Sequence, residues 1–212
     1  MPALTVIFDL DGTLVDTAPD LIDTLNVIFA RKGLAPVAYE TARNMIGGGA
    51  RRMIETGLAY EGRPVPAVEL DRLFADFIEH YTAHIADRSR PFPGLEVALD
   101  TLDANGCRLA VCTNKLERLS RLLLDALGMS ARFAAICGQD TFGIQKPDPE
   151  MLRRTIQAAG GDPTRAVMVG DSGIDIQTAR ADNTERCTDI GNHSAGKRRV
   201  AAYVDHVAEH HR

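Results

Sequence analysis

The chain has 212 residues, of which 45% are hydrophobic and 25% charged, with a formal net charge of −5. That is a globular composition with enough chain for a core in one or two domains, and it excludes a disordered, collagen-like or low-complexity polymer. The acidic balance argues against a general nucleic-acid binder, whose affinity rests on basic contacts to phosphate.

Leu4 to Leu10 is a short apolar run with Thr5, Val6, Ile7 and Phe8, the pattern of a strand buried on both faces. From about residue 17 the period becomes helical, with Leu21, Leu25 and Ile28 on one stripe and Gly33 as the stop. Residues 38 to 87 carry no convincing strand. Within them Leu70, Leu73, Phe74, Phe77, Ile78 and Tyr81 mark an amphipathic helix. Gly47-Gly48-Gly49 reads as a mobile connection, and Pro91-Phe92-Pro93-Gly94 as a boundary. Helices are then expected over 94–104, 116–127, 150–159 and 174–181. Strands are expected over 109–112, 134–137 and 166–169. Such alternation predicts a parallel sheet with helices on both faces. The first strand shares that character, so 16–88 reads as a helical insertion into a core of 1–15 and 89–212.

Cys107, Cys112, Cys137 and Cys187 contain no C-x-x-C pair, so free thiols in a reducing compartment are expected. The chain start has no basic segment and meets Asp9 too soon for a signal peptide. No stretch approaches the ~20 apolar residues that span a bilayer. The expected location is cytoplasmic, without membrane partners.

The chemistry-bearing residues follow the strands. Asp9-Leu10-Asp11-Gly12-Thr13 ends the first, and ligands of open α/β sheets bind beyond the carboxyl ends of strands. Taken alone, the segment reads equally as an Asp-rich turn that caps the next helix. Gly170-Asp171-Ser172-Gly173-Ile174-Asp175 follows the strand at 166–169. Carboxylates at two strand ends of one sheet suit Mg²⁺, which takes one or two of them plus substrate phosphate and water. Thr113-Asn114-Lys115 offers hydroxyl and amide donors before a helix, where a phosphate is welcome. Lys146-Pro147-Asp148-Pro149 brings a lysine able to neutralise phosphate charge.

With these four elements in this order the chain resembles the haloacid dehalogenase superfamily of phosphohydrolases. The resemblance covers about residues 4 to 182. Within the superfamily it is most similar to the phosphoglycolate phosphatases, through Val111-Cys112-Thr113-Asn114-Lys115, Gln139-Asp140 and Lys146-Pro147-Asp148-Pro149. It implies an α/β fold: a Rossmann-like parallel sheet core with helices on both faces, plus an inserted all-helical cap domain that closes over the site. It also implies Mg²⁺-dependent hydrolysis of a small phosphorylated metabolite, 2-phosphoglycolate first, through an aspartyl-phosphate. Asp9 would be the nucleophile and Asp11 the general acid and base. Asp9, Asp171 and the main-chain carbonyl of Asp11 would hold the metal. Thr113, Asn114 and Lys146 would bind the phosphoryl group, with Thr13, Ser172 and Asp175 in support.

Asp11 is shared with the superfamily's phosphatases and phosphomutases, and Thr13 is more typical of the phosphatases. Pyrophosphate or a sugar phosphate as substrate, a sugar phosphomutase, and a non-catalytic binding protein are the competing readings. Both a monomer and a homodimer are compatible with the sequence. One of Arg43, Arg51 and Arg52 could meet a substrate carboxylate, although a solvated helix face is the competing reading for each. His80 and His84, like His206 and His210, have a metal-ligand spacing but no completing ligands. From about 183 the chain departs from the superfamily. Thr184 to Asp189 stands where an apolar strand is expected, and 183–212 reads as divergent, poorly ordered or frame-altered.

Overall fold

A computed structural model of the chain describes residues 3–181 and the strand at 187–189. The strands, in chain order, are β1 (Thr5–Phe8), β2 (Val15–Asp16), β3 (Arg90–Pro91), β4 (Arg108–Cys112), β5 (Ala135–Cys137), β6 (Ala166–Gly170) and β7 (Cys187–Asp189). The helices are α1 (Ala18–Arg31), α2 (Tyr39–Arg43), α3 (Ala50–Tyr60), α4 (Ala67–Ala83), α5 (Leu95–Ala104), α6 (Glu117–Ala126), α7 (Pro149–Ala158) and α8 (Gly173–Ala181). The chain forms two compact units, Met1–Val15 with Pro91–Arg212, and Asp16–Arg90.

In the first unit five strands lie in the order β5-β4-β1-β6-β7. Each neighbouring pair is parallel. Parallel strands need crossover connections, and helices supply them. Side chains alternate across the sheet. Ile7, Ala110, Cys112, Ala166 and Met168 pack in one cluster with Met151, Leu152 and Ile156 of α7 and Ala179 of α8. The alternate set, Val6, Phe8, Leu109, Val111, Val167 and Val169, is equally buried, so both faces are covered. The strand runs are apolar without alternation because neither face meets water.

The edge of the sheet differs from the sequence reading. Cys187–Asp189 pairs in register with Met168, Val169 and Gly170, so this segment supplies the strand it was expected to lack. Ladder hydrogen bonds are made by backbone, which a polar segment offers as well as an apolar one. The remainder of the expectation for 183–212, with His206 and His210, lies outside the described residues.

The second unit is helical, and its crossings to the first are the short paired strands β2 and β3, which the sequence pattern did not mark. Leu21, Leu25, Ile28 and Phe29 of α1 are buried, as are Leu70, Leu73, Phe77 and Tyr81 of α4. Phe74 and Ile78 lie only half-buried, so the apolar stripe of α4 is narrower than its sequence implies. Asp20 in the first turn of α1 is buried and accepts from the amides of Arg88 (3.0 Å) and Ser89 (2.7 Å) and from the Ser89 hydroxyl (2.6 Å). A carboxylate so satisfied ties the two ends of the unit's chain together.

His80 faces the Thr24 hydroxyl at 3.2 Å and stacks on His84 with centroids 4.5 Å apart, while His84 meets Asp87 at 2.7 Å. Among the described residues this pair belongs to no group of three metal-ligating side chains. No helix of the described residues is long and apolar enough to cross a membrane. Cys107, Cys112 and Cys137 are free, and burial pushes the Cys112 thiol up to about 12, which leaves it unreactive.

Candidate active site

The sheet reverses its direction of growth at β1. From β1 the chain goes to β4 and β5 on one side, then crosses to β6 and β7 on the other. A crevice opens beyond the strand ends at such a point. Phe8 stands opposite Val111 and Val169, so Asp9 is level with Cys112 and Gly170. Thr113 and Asp171 follow one residue further on, at the same rim.

Asp9 continues the ladder, its amide donating to the Val169 carbonyl at 2.9 Å. Its side chain is therefore placed by the sheet itself. One carboxylate oxygen, Oδ1, accepts from the Leu10 amide at 2.7 Å and lies 2.9 Å from Lys146 Nζ. The same ammonium lies 2.6 Å from Asp175 Oδ1. Both are essentially without solvent: the Lys146 side chain is 1% exposed and that of Asp175 0%. The other Asp175 oxygen accepts from the amide (3.0 Å) and hydroxyl (2.6 Å) of Ser172. Asp171 accepts from the Thr13 hydroxyl at 3.0 Å.

Two carboxylates thus share one buried ammonium, and Asp171 stands close to both. Oxygens of Asp9, Asp171 and Asp175 lie within 4.8 Å of one another. Burial pushes the Asp9 carboxyl up to about 7, with Lys146 opposing and Asp175 and Asp171 adding to the rise. Burial, helped by Asp175, raises Asp171 to about 6. Burial alone would pull the Lys146 ammonium down, but Asp175 and Asp9 outweigh it and push it up. A hard divalent cation with oxygen ligands fits this surplus of buried negative charge.

Asn114 bonds to the backbone of the loop that carries the other expected phosphate ligand, Lys146. Its amide nitrogen donates to the Lys146 carbonyl at 3.1 Å, and its amide oxygen accepts from the Lys146 backbone N–H at 2.8 Å. The side chain clasps the loop that carries Lys146, whose peptide bond to Pro147 is cis. Thr113 is buried and accepts from the Lys115 amide at 3.2 Å.

Lys115 belongs to the site, although its sequence position marked it only as part of a family segment. Its ammonium lies 2.9 and 3.1 Å from the two carboxylate oxygens of Asp11. One residue, Leu10, separates Asp9 from Asp11, and each of the two aspartates meets a buried lysine from a different loop. No local pattern encodes that, because 104 residues separate Lys115 from Asp11.

Arg51 is committed within the helical unit, 2.7 Å from Asp71 and 4.0 Å from Glu55. Arg52 is exposed and its stem lies against Gly48.

Gly12 has φ +87°, and a Cβ there would run into the Asp171 carboxylate. The turn therefore needs glycine twice over, for its backbone and for its closeness to Asp171. Gly12→Ala is expected to lower kcat at least about 10-fold, because a misplacement of about 1 Å at a reacting centre can cost 10²-fold. Steady-state kinetics with a circular dichroism check on folding would read this.

Fold and site together define an α/β protein with a cluster of buried carboxylates at the strand ends of a parallel sheet. The sequence pattern of the haloacid dehalogenase-like hydrolases matches residues 6–188. Phosphoglycolate phosphatase of Mesorhizobium japonicum is 50% identical over 176 residues, 83% of this chain and 78% of that one. A crystal structure titled a predicted phosphoglycolate phosphatase, from Haemophilus somnus, superposes with a TM-score of 0.78 at 27% identity, covering 89% of this chain and 84% of that one. CbbY from Rhodobacter sphaeroides, solved in complex with phosphate, gives 0.73 at 26%, covering 88% and 85%. The chain belongs to the haloacid dehalogenase-like hydrolases and is a phosphatase.

Proposed function

We propose that the chain hydrolyses 2-phosphoglycolate to glycolate and phosphate, with Asp9 as nucleophile and Mg²⁺ as cofactor. The observation that carries this reading is the buried Asp9 carboxylate, 2% exposed, held by Lys146 among two further carboxylates at the rim of a parallel sheet. The 50% identity to the Mesorhizobium enzyme supports the substrate.

An oxygen of Asp9 attacks phosphorus, and the bond to the glycolate oxygen breaks. Asp11 gives its proton to that leaving oxygen, a transfer worth about 10²–10⁴-fold. The phosphoryl group now rests on Asp9. A water then attacks the phosphorus, Asp11 takes its proton, and inorganic phosphate leaves with Asp9 restored. Splitting one displacement into two eases each. Lys146 and Thr113 hold the phosphoryl oxygens, where positioning and charge neutralisation supply most of the catalysis. Asn114 keeps Lys146 in place through its backbone. Asp9, Asp171 and the main-chain carbonyl of Asp11 would hold the Mg²⁺, with Asp175, Ser172 and Thr13 bracing Lys146 and Asp171. The ion would supply positive charge to offset the negative charge of the reacting phosphoryl group.

Phosphate release from a panel of small esters, with Mg²⁺ and with a chelator, tests the assignment. Phosphoglycolate should lead, and the chelator should abolish turnover. A faster sugar phosphate or pyrophosphate would remove the substrate, and full activity in the chelator would remove the cofactor.

A pH signature follows from the two raised carboxyls. Ordinary aspartates lose their proton near 3.8, whereas folded Asp171 and Asp9 keep it to about 6 and 7. Between those limits the folded chain binds more protons than the unfolded one, so stability contributed by these groups falls as pH rises. A cation bound to the ionised pair offsets the loss. Mg²⁺ is expected to raise Tm more at pH 8 than at pH 5. An equal rise at both would refute the account.

A further inference from the structure

We propose that Lys115 is a positioning residue for Asp11, fixing the carboxylate that serves the leaving oxygen; this rests on the phosphatase reading above. Its ammonium approaches both oxygens of Asp11, at 2.9 and 3.1 Å. The Lys115 side chain is 4% exposed and that of Asp11 13%. A pair so withdrawn from water gives little net stability, because desolvation consumes the attraction. What it does supply is direction, since a two-point contact fixes the carboxylate's rotation.

The lysine's own backbone is clamped. Gly138, directly after β5, packs so closely that a Cβ there would collide with the Lys115 carbonyl and the Glu117 amide. The Gln139 amide donates to the Lys115 carbonyl at 3.2 Å. Asp140 accepts from the Glu117 amide at 2.7 Å, capping the start of α6. Thr141 joins the brace, donating to Glu117 at 2.6 Å and accepting from the Gly138 amide at 2.8 Å. The loop after β5 therefore holds the segment that holds Asp11. The bonds made by residues 138–141 reach neither Asp9 nor Lys146. The loop between β5 and α7 thus serves both carboxylates: its start, 138–141, braces the segment that carries Lys115, and its Lys146 meets Asp9.

Substrates that differ in their need for leaving-group protonation separate positioning from mere support. Wild type, Lys115→Met, Asp11→Asn and the double variant are compared on phosphoglycolate and on p-nitrophenyl phosphate, whose leaving group departs unprotonated. Lys115→Met should lower kcat for phosphoglycolate about 10²-fold with KM within threefold, as expected for a lost proton transfer. The first-turnover burst of p-nitrophenolate should fall less than threefold. The double variant should be no worse than Asp11→Asn alone, since both act through one group. A burst that falls as far as the phosphoglycolate rate, or losses that multiply, would overturn the proposal. If Lys115→Met fails to fold, Asp140→Ala carries the same test, with a kcat loss of about 10-fold and an intact burst expected. If wild type prefers another ester, the substrate assignment fails, and the comparison is run on that ester with the same two criteria.

Discussion

Asp9→Asn should leave a folded protein that releases no measurable phosphate, a loss on the order of 10³-fold or more. The substitution keeps the size of the side chain and an oxygen to accept from the Leu10 amide. In the proposed mechanism it removes the charge that attacks phosphorus, and an amide cannot form the covalent intermediate. Because burial already disfavours the ionised Asp9, the neutral variant relieves a crowd of three carboxylates. Its Tm in chelator at pH 8 should equal or exceed that of wild type. Phosphate release and a melting curve on the same preparation check both halves. A lower Tm would mean that the pairing of Asp9 with Lys146 stabilises the fold more than the crowding costs. Retained turnover would remove Asp9 as nucleophile.

Lys146→Met should fail in both respects. The ammonium lies between Asp9 and Asp175 with 1% of its side chain exposed, and Asp175 has no exposure at all. Removing one partner of a buried pair strands the other charge, at a cost of about 3–5 kcal/mol. For a chain of this size that lowers Tm by roughly 6–20 °C. Turnover should also vanish, because Mg²⁺ would then have to neutralise the phosphoryl oxygens without the ammonium that lies 2.9 Å from Asp9. Lys146→Met with Asp175→Asn separates the two effects. Removing the stranded charge should recover much of the stability and none of the activity. If the double variant melts as low as the single one, the loss comes from packing and not from charge.

Much of this architecture is readable along the chain. The runs Thr5–Phe8, Leu109–Cys112 and Val167–Val169 are apolar without alternation, and that is the pattern of a strand with no wet face. Asp9 and Asp171 announce themselves because they stand directly after the strands β1 and β6. Other parts are not readable that way. Asn114 has the right type and position for a phosphate ligand, yet both ends of its amide are used by the Lys146 backbone 32 residues away. Lys115 gives no local signal beyond its charge, because its function is a distance to Asp11. The stripe of α4 narrows because Phe74 and Ile78 have fewer neighbours than their period promises. The edge strand at 187–189 was missed because a backbone ladder needs no apolar side chain.

What the sequence determined by itself is local: which segments are strands, which are helices, and which residue types stand at the strand ends. Periodicity and composition suffice for that, since each element's burial is written into its own residues. What the tertiary structure decided is pairing. Asp9, Asp11, Lys115, Lys146 and Asp171 come from four loops and Asp175 from the first turn of α8, and only the parallel register of β1, β4, β5 and β6 brings their carriers level. Whether a buried carboxylate is a nucleophile, a brace or a held acid then depends on which ammonium lies within about 3 Å of it, because Coulomb attraction in a dry site falls off over such distances.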